Sequence, residues 1–196
     1  LPMQFLSTTT NQREDEYGAS IEGRAKFILD STRAMQAATS TGFVAVKIGP
    51  GWTYHDVFDT DPVATYSYVT KELSALNIAY LEVGNFGQNW DVLGTMRPLF
   101  KGPLMAVKGY NRSDAAAAIT SGAIDMIAYG QAYMANPDLK ERFEHGWALN
   151  TPKPDFYYTQ GSEGYTDYPT YHAGDQGEMV AGRPPPQPPP GERERE

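Results

Sequence analysis

Four apolar runs of five or six residues punctuate the middle of the chain: 43–48 (FVAVKI), 78–83 (IAYLEV), 103–107 (PLMAV) and 124–129 (IDMIAY). None alternates cleanly with polar residues, as expected of strands covered on both faces in a parallel sheet. Stretches with helical spacing lie around them, at 20–39, 62–76, 90–100, 111–121 and 137–145. The resulting order, α-β-α-β-α-β-α-β-α, predicts an α/β fold with a parallel sheet. Local punctuation agrees: Ser20 is a candidate N-cap, Asp61-Pro62 opens a helix, and Ser113 or Asp114 is placed to cap the alanine-rich one. Gly122 ends that helix.

The texture changes after Trp147. Residues 151–171 are rich in tyrosine, proline and glycine without a period, and predict an extended segment packed over the sheet or its mouth. Residues 173–196 contain a proline run and the charged end GERERE, a composition that buries too little apolar surface to order itself. The proline run also has the form of a ligand for an aromatic peptide-binding groove.

Composition narrows the function classes. A formal net charge of −8 argues against a nucleic-acid or anionic-membrane surface. The chain has no cysteine, which excludes disulfides, thiolate metal sites and a cysteine nucleophile. No apolar run reaches the ~18–20 residues of a membrane span, and no signal peptide opens the chain, so a cytoplasmic location is the default expectation. A start at Leu1 rather than methionine suggests a processed or truncated piece.

Parallel βα proteins bind ligands at the carboxyl ends of their strands. That directs attention to Lys47 with Gly49-Pro50-Gly51, to Val83-Gly84-Asn85, to Val107-Lys108-Gly109-Tyr110, and to Tyr129-Gly130-Gln131. Glycine at a strand end admits a ligand close to the backbone, and the next helix offers free N–H groups to an anion. Ordinary strand-to-helix turns use glycine as well, so each glycine alone leaves both readings open. Lys47 interrupts the apolar run VAVKI, where a bare ammonium is costly to bury. It calls for an anionic or electron-rich ligand or for a structural carboxylate partner. His55, His145 and His172 lack metal-ligand spacing.

Longer stretches carry a family likeness. QFLSTTTNQREDEYGASIEGRAKF (4–27) resembles the old yellow enzyme pattern QFLSPxSNxRxDxYGGSxxNRxRF. GPLMAVKGY, AIDMIAYGQAYMANPDL and FYYTQGSEGYTDYPTY resemble that family's seventh strand, eighth strand and closing segment, in order. The resemblance implies a (β/α)8 barrel binding FMN, with NAD(P)H as hydride donor and activated C=C bonds of enone or nitro compounds as substrates. Lys47 stands where the family has an arginine facing the flavin N1/O2 edge. Val107, Lys108 and Gly109 match the amides on the FMN phosphate, and Tyr129, Gly130 and Gln131 match the strand-eight segment. Gln131 replaces its phosphate-binding arginine, and Lys108 is placed to restore the charge. Tyr165 matches the closing-segment tyrosine that borders the substrate. Ala19 and Gly23 replace a glycine and an asparagine of the first motif.

The family chain is roughly twice as long. The resemblance therefore implies the C-terminal half of a barrel over residues 1–172, strands five to eight. The proton-donor tyrosine and the substrate-binding His/Asn pair would lie upstream of Leu1, leaving no catalytic residue here. The expected partner is the missing N-terminal half, or a second copy joined through the open sheet edges. The alternative is a non-catalytic half-barrel that acts only by association with another chain.

Overall fold

A computed structural model describes residues 1–39, 41–84 and 89–172. The proline-rich tail and Asn85 lie outside the described residues. The chain divides after Ala128 into two compact units.

The first unit contains a four-stranded parallel sheet in the order β1-β2-β3-β4, with β1 Val46–Ile48, β2 Leu81–Gly84, β3 Leu104–Val107 and β4 Met126–Ala128. Three lie inside the predicted apolar runs, and β2 extends one residue beyond its run, to Gly84. Backbone bonds from Ala79 N to Val44 O (2.8 Å), Leu81 N to Pro103 O (3.1 Å) and Asp125 N to Leu104 O (2.9 Å) continue the pairing toward the N-terminal ends.

The helices are α1 Pro2–Leu6, α2 Ile21–Ala38, α3 Pro62–Ala75, α4 Val92–Met96 and α5 Arg112–Thr120. Ser20 Oγ caps α2 by accepting from Gly23 N at 3.1 Å, and Asp61 Oδ1 caps α3 by accepting from Ala64 N at 3.1 Å. The cap of α5 is Asn111, not Ser113 or Asp114. Its Oδ1 accepts from Asp114 N at 2.9 Å and from the Ser113 hydroxyl at 2.7 Å, because the helix begins at Arg112, earlier than either expected cap allows. Gly122, at φ 74°, closes α5 in the left-handed conformation that a side chain would resist. α4 is shorter than its apolar spacing suggests. Beyond it the Arg97 guanidinium donates to Phe100 O, Gly102 O and Asp125, which tie the chain into an irregular turn.

Strand alternation gives the sheet two unlike faces. Val46, Ile48, Leu81, Val83, Leu104 and Ala106 share one face and are buried against Ile28 and Leu29 of α2, Tyr66, Val69 and Leu73 of α3, and Val92 and Met96 of α4. Burying each such side chain contributes about 1.5–3 kcal/mol. The opposite face carries Lys47, Glu82, Met105, Val107, Met126 and Ala128, all exposed or only partly buried. The prediction of two covered faces is met on one side of the sheet only.

A buried polar cluster joins the N-terminal segment to this core. Arg24 Nε donates to Leu6 O (2.8 Å), Nη1 to Ala19 O (3.3 Å), and Nη2 to Thr65 Oγ1 (3.1 Å) and Asp59 Oδ2 (3.3 Å). Ser7 and Thr9 donate to Phe58 O, and Thr8 Oγ1 accepts from Thr60 N at 3.0 Å, so both ends of the 57–61 loop are held.

The second unit begins at Tyr129 and holds α6 Gln131–Ala135, α7 Leu139–His145 and a 3-10 turn at Pro154–Phe156. Arg142, 3% exposed, bonds Asp138 Oδ1 at 2.7 Å, Ala148 O at 2.5 Å and Pro169 O at 3.0 Å. Asp138 Oδ2 accepts from Tyr171 N at 2.7 Å, and the Trp147 ring stacks on Tyr171 with centroids 4.2 Å apart. The tyrosine-rich segment is thus fastened to α7 and to itself: Tyr168 OH accepts from Lys153 N (2.7 Å), and Lys153 Nζ pairs with Asp167 (2.9 Å).

Candidate functional site

In the first unit, Lys47, Val107, Lys108 and Gly109 share the carboxyl-end side of one sheet. Val107 is in register with Gly84 on one side and Ala128 on the other. Immediately past it, two consecutive residues take left-handed backbone, Lys108 at φ 73° and Gly109 at φ 90°. For lysine that conformation costs on the order of 1–2 kcal/mol. Such strain clusters at ligand sites. A methyl group built on Gly109 would meet no atom within 4 Å, so the turn faces open space. Tyr110 follows; burial first, then nearby Asp91 and Asp114, raise its phenol pKa, so it remains a protonated donor.

Lys47 corrects one expectation. Its side chain is 56% exposed, not buried, and Nζ pairs with Glu82 Oε1 at 2.8 Å. The structural carboxylate of the two readings is present. The residue projects from the partly open face of the sheet, where more than half of its side chain stays in water.

In the second unit, Tyr129 packs edge-on against Phe143, with centroids 5.2 Å apart. Gly130 has φ −93°, which any residue adopts, and a side chain there would meet nothing within 4 Å. Neither left-handed backbone nor close packing among the described residues asks for glycine here, and Gly130 is the N-cap of α6, an ordinary place for one. Gln131 opens α6. The Tyr165 hydroxyl accepts from Tyr158 N, which leaves its own proton available to a further acceptor.

Glu82 was missed at the sequence level, although a signal existed. Lys47 is the penultimate residue of FVAVKI and Glu82 the penultimate residue of IAYLEV, so adjacent parallel strands in register put them side by side. The donor set of the first unit fits an anionic cofactor: cations at Lys47 and Lys108, and backbone approachable at Gly109. Among the described residues no cluster of three or more metal-ligating side chains occurs, and no helix is long and apolar enough to cross a membrane.

Known proteins of the same build exist. The probable flavin mononucleotide-dependent alkene reductase of Leishmania infantum is 37% identical over 174 residues, covering 85% of this chain and 46% of that one. The 12-oxophytodienoate reductase 2 of Arabidopsis thaliana is 34% identical, with 85% and 47% covered. A morphinone reductase in complex with tetrahydroNAD superposes with a TM-score of 0.82 at 37% identity, over 89% of this chain and 48% of that one. The old yellow enzyme from Trypanosoma cruzi gives 0.84 at 32%, over 88% and 47%. The chain spans about half the length of the curated relatives it matches. The family they represent is FMN-dependent, with NAD(P)H as donor. With residues 1–150 matching throughout, the chain belongs to the NADH:flavin oxidoreductase / NADH oxidase family.

Proposed function

We propose that the chain is the C-terminal half of an FMN-dependent ene-reductase of old yellow enzyme type, reducing activated C=C bonds of α,β-unsaturated carbonyl or nitro compounds with NAD(P)H. The observation that carries the reading is the end of β3, where Lys108 and Gly109 turn left-handed beside open space in a chain of this family. Bound FMN would supply the hydride transfer between nicotinamide and substrate. Val107, Lys108 and Gly109 would offer backbone N–H groups and a cation to its phosphate. Lys47 would face the ring edge and favour negative charge there. The resemblance gives Gly130 and Gln131 a phosphate as ligand, places Tyr129 in the same cofactor-binding segment, and gives Tyr165 a place at the substrate.

The one-sided sheet supports the half-barrel form. Parallel sheets bury both faces, and here the face with Met105 and Met126 is only partly covered. The N-terminal half, or failing that a second copy, is the partner that fits. The test supplies the N-terminal half of a relative in trans. The two chains together should retain FMN through gel filtration and oxidise NADPH in the presence of 2-cyclohexenone, while this chain alone binds FMN weakly and self-associates. A monomeric, stoichiometrically flavin-loaded single chain would overturn the half-barrel reading.

A further inference from the structure

Lys47 and Glu82 stand opposite each other in register on β1 and β2, on the face turned away from the helices. The pair is asymmetric: the Glu82 side chain is 17% exposed and that of Lys47 56%. The carboxylate is rooted in the sheet and the ammonium reaches outward from it. Across the strand from Glu82 on its other side is Met105, which offers no N–H or O–H donor.

We propose that Glu82 is a positioning residue for Lys47 and sets the strength of the field that Lys47 delivers to the flavin ring; this rests on the reading of Lys47 given above. A lysine ammonium is a point charge on a flexible four-carbon stem, without the planar fork that orients an arginine. The ion pair with Glu82 Oε1 at 2.8 Å supplies the placement that the stem itself does not. Glu82 therefore acts in two opposed ways. It fixes the cation near the face where an anionic ring edge would be met, and its own charge offsets part of the cation's attraction for that edge.

The two actions separate by substitution. Glu82→Gln keeps a polar oxygen beside Nζ and removes the charge, so reduced, negatively charged flavin should be favoured by about tenfold, roughly 30 mV for a two-electron couple. Glu82→Ala removes both the charge and the hold, and should give a smaller rise. Lys47→Met should move the equilibrium the other way.

The potentials are measured by dye-coupled titration of the flavin-loaded complex of this chain with the N-terminal half supplied in trans. A rise in Glu82→Gln that exceeds the rise in Glu82→Ala supports the proposal. An unchanged potential in Glu82→Gln beside a lowered one in Lys47→Met overturns it and leaves the Lys47 reading intact. An unchanged potential in Lys47→Met with flavin still bound overturns the Lys47 reading itself. A second measurement needs no flavin. In the chain with 13C-dimethylated lysines, the two Lys47 methyl resonances should be distinct in the wild type and in Glu82→Gln, and merge in Glu82→Ala. Merged resonances in the wild type would show that Glu82 does not hold the ammonium, whatever the flavin does.

Discussion

Replacing Arg24 by methionine tests the buried cluster that fastens the N-terminal segment to the sheet's helices. The Arg24 and Asp59 side chains are only 8% and 3% exposed, so neither charge is relieved by water once its partner is gone. Removing one member of such a pair costs about 3–5 kcal/mol. Leu6 O and Ala19 O lose their guanidinium donors in the same step. A carbonyl left without a partner costs about 1–3 kcal/mol. Asp59 retains the Thr65 hydroxyl at 3.2 Å and Asp61 N at 2.8 Å, which keeps the loss near the lower end, about 5 kcal/mol in all. With a urea slope of about 2 kcal/mol/M, the midpoint should fall by about 2.5 M. Far-UV circular dichroism in urea reads it. The double variant Arg24→Met, Asp59→Asn removes the stranded charge and should recover a large part of the loss. A single variant within about 1 kcal/mol of the parent, or a double variant no better than the single, would refute this account of the cluster.

Ala19 holds a left-handed φ of 60° where the family pattern has glycine, so Ala19→Gly should stabilise by about 0.5–1 kcal/mol, the relief of strain less the entropy added to the unfolded chain, read from the urea midpoint. Gln131→Arg in the flavin-binding protein exchanges a neutral hydrogen bond for a charge-assisted one, worth about 1 kcal/mol. FMN should bind a little under tenfold tighter and riboflavin unchanged. Equal gains for both in fluorescence titration would place something other than phosphate at Gly130. The Asp125 carboxyl is held below its ordinary 3.8 by the bond from Leu104 N and then by Arg97. A depressed carboxyl stabilises above its unfolded pKa and loses that contribution as pH falls through the folded value. Stability should therefore drop below about pH 4, and Asp125→Asn should flatten that limb of a denaturation series.

The sheet and its main helices were legible because their signals are local and repeated. Buried strands read as apolar runs, and caps such as Ser20 and Asp61 sit at fixed offsets from the N–H groups they accept. Asn111 was passed over because three capping residues within four positions compete for one cap, and only the backbone start decides among them. The Lys47–Glu82 pair needs register between strands that are far apart in sequence, information that a residue-by-residue reading does not hold. The tyrosine-rich segment has no period to read; its order comes from single contacts such as Tyr168 OH with Lys153 N. The first family motif proved partly architectural: its Arg24 closes a buried cluster and reaches no candidate ligand. Gly23 is explained by contact rather than by chemistry, since a side chain carbon there would lie 2.0 Å from Gly18 O.

The sheet order β1-β2-β3-β4 has a consequence for how the molecule is made. Each strand pairs with the one synthesised just before it, and α3 and α4 emerge between their strands in time to cover them. Contacts of this kind close short loops and favour rapid, stepwise consolidation on the ribosome. The apolar layer beneath the helices can therefore set while the chain is still growing. A nascent chain arrested after Val107 should already protect the amides of β2 from hydrogen exchange, with β4 still unmade.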